Sequence, residues 1–201
     1  MELKEINYRE RIINLFGEID EETAKDTINR IVQLNVKDAE YAYAAQAVIG
    51  NIGFNVDLNM INLPPITINM STYGGCVYDG FALCDSIRMS NTPVKIVCYG
   101  KIMSMGLPIL LSAHYKSAHK NTTFMIHGAS FGAIGKVEDV KESLDEANRI
   151  QNMMVDYICE YSKFPRKKLL SIIEKKQDYY FGTEEALKYK IIDEIIGQEN
   201  K

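Results

Sequence analysis

The chain has 201 residues, 46% hydrophobic and 25% charged, enough apolar material for one large domain and too much for a disordered or fibrous protein. With 23 Lys and Arg against 27 Asp and Glu the net charge is −4, so the basic face of a nucleic-acid binder and the polybasic patch of a membrane binder are both missing. No apolar run approaches the roughly 20 residues of a bilayer crossing, and the start, MELKEINYRERIINLFG, is too charged for a signal peptide.

Short apolar runs alternate with amphipathic stretches, which predicts an α/β domain spanning residues 1–201. Arg11 to Gly17 reads as a strand, and Asp20 as the cap of a helix with Ala24, Ile28, Ile31 and Leu34 on one face. From Val36 to Pro65 the pattern loosens into an inserted arm: YAYAAQAVIG fits a short helix, and NIGFNVDLNMINLPP an irregular apolar segment. Ile66 to Met70 is the next strand, Gly74-Gly75 a turn, and Val77 to Met89 a helix. Val94 to Tyr99 forms a strand broken by Gly100, with a helix starting near Ser104. Thr122 to Ile126 is a further strand ending at His127.

The longest helical signal runs over 136–162, where Val137, Val140, Leu144, Ala147, Met154, Ile158 and Tyr161 follow three- and four-residue steps that Gln151 interrupts. Pro165 starts another helix, Asp178 to Phe181 fits a short strand, and Thr183 to Lys188 a last helical turn. Cys76, Cys84, Cys98 and Cys159 form no CxxC pair and read as reduced, mostly buried thiols of a cytoplasmic protein. The three histidines form no HExxH, so neither a structural zinc site nor another cofactor is expected; His114, at a helix end, and His119, in a Lys-rich loop, read as surface residues.

Three features fall at strand ends, where open α/β sheets place their sites. Ser104 stands between a strand and an apolar helix, where it is either an N-cap or a nucleophile with the Met105 N–H beside it. Gly74-Gly75 is either a plain turn or a bare backbone donor. His127 ends a strand, and Asp178 precedes an aromatic pair. None of these is specific alone.

Together they resemble the proteolytic subunit of the Clp protease (ClpP) over almost the whole chain, through YRERIINLFGEID, STYGGCVYDGFALCDSIR, VKIVCYGKIMSMGLPILLSA, FMIHGAS and DYYFGTEEALKYKIIDEII. The resemblance implies a ClpP/crotonase-like spiral of ββα units with 136–162 as a protruding handle helix. It also implies a serine endopeptidase with Ser104 as nucleophile, His127 as base, Asp178 as its orienting carboxylate, and Gly75 and Met105 as oxyanion donors. The chain order Ser, His, Asp differs from the three familiar triad orders. In that family the peptidase subunit binds no ATP itself, assembles as stacked rings and acts on unfolded proteins and peptides.

The chain departs from the family pattern in several places. Tyr73 stands where proline precedes the glycine pair, Ile102 and Met103 replace small residues before the serine, and Lys190 takes a glycine position. Only about eight residues precede the Arg9–Arg11 segment, so the axial loop is expected to be absent. Ile66, Thr67, Ile68 and Asn69 replace expected strand tyrosines, and by the resemblance the arm over 36–65 falls near the surface where an AAA+ unfoldase docks, so that partner is not expected to bind in the usual way. Two readings stay open beside the peptidase: a non-catalytic ring scaffold, and a phage-type protease acting on capsid proteins.

Overall fold

The computed structural model describes residues 7–50 and 63–197. A 3-10 turn at Tyr8–Arg11 leads into strand β1, Ile12–Ile19. Helix α1, Glu21–Gly50, follows where expected: Asp20 Oδ1 accepts the Thr23 N–H at 2.9 Å and the Asp20 N–H donates to Thr23 Oγ1 at 3.0 Å. The helix does not stop near Val36. Its buried stripe, Ala24, Thr27, Ile31 and Leu34, continues through Asp38 to Ala45. Asp38 breaks the apolar pattern in the sequence, yet its charge is buried against Arg11, whose Nη1 and Nη2 donate to Oδ1 and Oδ2 at 2.7 and 2.8 Å. The short helix expected over YAYAAQAVIG is thus the last part of α1, with no break at Val36, and the irregular segment expected after it lies, over 51–62, outside the described residues.

Strand β2, Ile66–Gly75, pairs parallel with β1 on one side and with β3, Val94–Met103, on the other. Alternate residues Ile66, Ile68 and Met70 point into the core and pack with Val94, Ile96 and Cys98 of β3. Helix α2, Val77–Arg88, buries Gly80, Leu83, Cys84 and Ile87. Gly100 does not end β3; it separates two pairing zones. Lys95–Cys98 pair with β4, Tyr115–His119, and Lys101–Met103 pair with β5, Thr123–Ile126. The fork sends the last three residues of β3 away from β4 and toward β5. Strand β4 falls in HYKSAHK, which reads as a loop in the sequence, so His119 sits on a strand, half-buried with its ring 4.5 Å from that of Tyr99. His114 Nδ1 accepts the Val94 N–H, and burial together with Arg88 lowers its pKa.

Short helix α3, Gly106–Leu111, is buried throughout. Helix α4, Val137–Tyr161, and α5, Arg166–Glu174, precede β6, Tyr179–Phe181, which pairs antiparallel with β5. Helix α6, Thr183–Lys188, and β7, Glu194–Ile196, which extends the sheet beyond β4, close the chain. Among the described residues the strands form a seven-stranded sheet in which only β6 runs antiparallel, with α1, α2 and α3 contributing to one continuous core. Of the four thiols, Cys84 and Cys98 are buried, with burial pushing Cys84 up to about 12, while Cys159 is half-buried and Cys76 exposed.

Candidate active site

Two strand ends meet at one point. Gly74 and Ser104 face each other so closely that a Cβ on Gly74 would fall 2.8 Å from Ser104 Cβ and 3.0 Å from Met105 N. The chain enters this contact under constraint. Gly74 has φ +96°, and its N–H donates to the Oγ1 of buried Thr72 at 2.9 Å. At Gly75 a side chain is excluded from below, because its Cβ would stand 2.1 Å from the Ile19 carbonyl oxygen.

Ser104 adopts φ +50°, a left-handed conformation that a residue with a Cβ takes up only when its surroundings enforce it. Its N–H donates to Met125 O at 3.0 Å and its carbonyl accepts from Leu107 N–H at 3.0 Å, which pins the turn to β5 on one side and α3 on the other. The side chain is therefore not a helix N-cap. No helix in this region starts on Ser104, and α3 opens two residues later at Gly106. Met105 is fully buried against α2, where its Cγ would lie 2.3 Å from a Cβ at Gly80. Packing of that side chain fixes the direction of the Met105 N–H, which has no backbone acceptor among the described residues.

His127 follows β5, and Asp178 precedes β6. Because Ile126 and Tyr179 are register partners in the antiparallel pair, the next residues outward, 127 and 178, come together. Their closest approach is 3.9 Å between Nδ1 and Oδ1, an ion-pair distance longer than a hydrogen bond, with the Asp178 side chain 57% exposed. Ser104, His127, Gly74 and Gly75 line one cavity of about 390 Å³. Among the described residues no hydrogen bond joins the Ser104 hydroxyl to the imidazole.

Two further residues line the cavity, Tyr73, which the sequence marks as a departure beside the glycine pair, and Glu18, which it does not. Glu18 stands at the bulge where β1 shifts register against β2 after Gly17, and Tyr73 forms a wall with the Lys101 ammonium 3.8 Å from its ring centroid. Tyr73 had a signal as an exposed aromatic before a glycine pair; Glu18 had none. A second cavity of about 700 Å³ adjoins the first through Val77, Ala129 and Ser130 and continues along α4 to Glu142 and Ile150. Chemically, the arrangement offers a hydroxyl, an imidazole, a carboxylate behind it and backbone donors around one space, a set suited to acyl transfer.

A sequence model described as Clp protease matches residues 57–199. The ATP-dependent Clp protease proteolytic subunit of Deinococcus radiodurans is 36% identical over 127 residues, which span 62% of this chain and 61% of that protein. The corresponding subunit of Borreliella afzelii is 27% identical over 194 residues, 95% of this chain and 85% of that one. A ClpP1 variant from Listeria monocytogenes superimposes with a TM-score of 0.72 at 23% identity, covering 96% of this chain and 94% of the other. The expected ClpP-like α/β fold is thus the fold observed.

Proposed function

Because this chain belongs to the Clp protease family, we propose that it is a serine endopeptidase in which Ser104, His127 and Asp178 act together. The observation that carries the reading is Ser104 held at φ +50° in one cavity with His127 and Gly75, since a strained serine with no capping role asks for another reason to be there.

In this reading His127 takes the Ser104 proton as Oγ attacks the peptide carbonyl carbon, and Asp178 holds the imidazole and stabilises its protonated form. The N–H groups of Gly75 and Met105 meet the oxygen as it becomes negative. The tetrahedral species then breaks its C–N bond, the amine leaves with the proton that His127 returns, and water hydrolyses the acyl-serine by the same route. A fixed donor pair matters most here, because removing one oxyanion donor typically costs about 10²–10³ in kcat.

We place the sites inside a ring-shaped homo-oligomer that acts on unfolded polypeptides and peptides; the named relatives are ATP-dependent. For this chain, short peptides should be cut without nucleotide, and an AAA+ unfoldase is not required for that step. The test is hydrolysis of a fluorogenic peptide by wild type, Ser104→Ala and Asp178→Asn. Turnover by wild type, abolished in the first variant and lowered about 10⁴-fold in the second, is expected. The 3.9 Å His127–Asp178 separation favours one other reading, a ring scaffold without activity, and equal background rates in all three proteins would establish it.

A further inference from the structure

Helix α4 carries its apolar residues at 137, 140, 144, 147, 154, 158 and 161, a heptad spacing in which position 151 should also be apolar. It is glutamine. A half-buried amide in such a stripe requires a hydrogen-bond partner, and Gln151 has one outside its helix: Oε1 accepts the Ala129 N–H at 3.3 Å. The same oxygen lies 3.2 Å from where a Cβ on Gly128 would stand, and Ile173 of α5 lies 3.4 Å from that point on another side. Gly128 therefore has no side chain where the Gln151 amide comes in. The polar interruption of the stripe and the glycine after the base meet at a single contact.

We infer that Gln151 is a positioning residue for His127. The inference rests on the peptidase reading for its consequence in the reaction, though not for the contact itself. On its N-terminal side, His127 is held by β5, whose Ile126 pairs with Tyr179. On its C-terminal side no strand or helix follows at once, and the tie to Gln151 comes two residues later. Without that tie the backbone that carries His127 is held, among the described residues, from the β5 side only. The segment concerned, Gly128 to Ser130, also lines the cavity that holds Ser104, so its displacement moves a wall of the site as well as the base. Misplacement of a reacting group by about 1 Å can cost about 10²-fold in rate, and loss of a single neutral tie should cost less.

The variants are Gln151→Leu, which completes the apolar stripe, and Gln151→Glu, which keeps an acceptor oxygen at the same reach. Two readouts are taken on the full chain. Amide hydrogen exchange over 127–131 should rise roughly fivefold in Gln151→Leu, as loss of one neutral hydrogen bond implies, and stay near wild type in Gln151→Glu. Peptide hydrolysis by Gln151→Leu should show kcat lowered about tenfold with KM within about twofold, while the melting temperature is unchanged or higher; Gln151→Glu should recover most of kcat. Unchanged exchange in Gln151→Leu overturns the inference whatever the activity. So does a loss of kcat that follows a fall in melting temperature and is not recovered by Gln151→Glu. If wild type proves inert while exchange still rises in Gln151→Leu, the peptidase reading fails, and with it the role assigned to Gln151 in the reaction.

Discussion

Lys190 closes helix α6 in a conformation that lysine seldom adopts. Its φ is +58°, its N–H donates to Leu187 O at 3.0 Å, and the Ile191 N–H donates to Ala186 O at 2.9 Å, a Schellman closure with lysine where glycine is favoured. Lys190→Gly should therefore raise stability by about 1 kcal/mol, a gain of roughly 2–4 °C in melting temperature for a chain of this size, as read by calorimetry. The buried pair Arg11–Asp38 works in the other direction. Both residues are about 5% exposed, and removing one partner would leave the other charge buried and uncompensated. Asp38→Asn should cost about 3–5 kcal/mol in chemical denaturation. Single residues also set the limits of sequence reading. Asp38 falls where the apolar pattern loosens, because a charge on a buried stripe is unusual, and distant partners, Arg11 and the Thr92 hydroxyl, make it tolerable. Ser104, by contrast, could be singled out by its place after a strand, though its left-handed backbone could not.

At the scale of elements, the strands that carry the site were legible and two that flank it were not. Strands β1, β2 and β5 show long apolar runs or clean alternation. Strand β4 reads YKSAH and β7 reads EII, short segments with charged or small residues whose strand character comes from their neighbours in the sheet. The fork at Gly100 was hidden for the same reason, since it depends on β4 and β5 both pairing with β3. Helix α5 and β6 are clamped to α6 by Lys168, whose Nζ bonds Glu185 Oε1 at 2.7 Å and the Tyr179 hydroxyl. Burial pushes the Glu185 carboxyl up, but the bonds from Lys168 and Tyr179 outweigh it and leave its pKa below the ordinary value. A depressed carboxyl adds stability above its unfolded pKa of about 4.3, and that stability is lost as pH falls through the folded value. Glu185→Gln should accordingly flatten the fall of melting temperature below about pH 4, measured against wild type. An unchanged acid limb would remove the clamp from the account of how β6, and with it Asp178, is held.

At the scale of the whole molecule, the stripe of α4 divides in two. Met154, Val155 and Ile158 are buried in the core, whereas Val137 is 70% and Leu144 45% exposed, an apolar surface that the described residues leave uncovered. If the proposed ring forms through this surface, Leu144→Glu should leave the fold intact by circular dichroism and shift native mass spectra toward smaller assemblies; a spectrum identical to wild type would take α4 out of the proposed contact. Activation of the Ser104 hydroxyl by His127 is the step on which the proposed chemistry turns. Its most direct measurement is covalent labelling by a fluorophosphonate probe, with the modified residue located by peptide mass spectrometry in wild type and His127→Ala. One adduct on Ser104 is expected in wild type and almost none in the variant. Labelling elsewhere, or equal labelling of Ser104 with and without the imidazole, would contradict it.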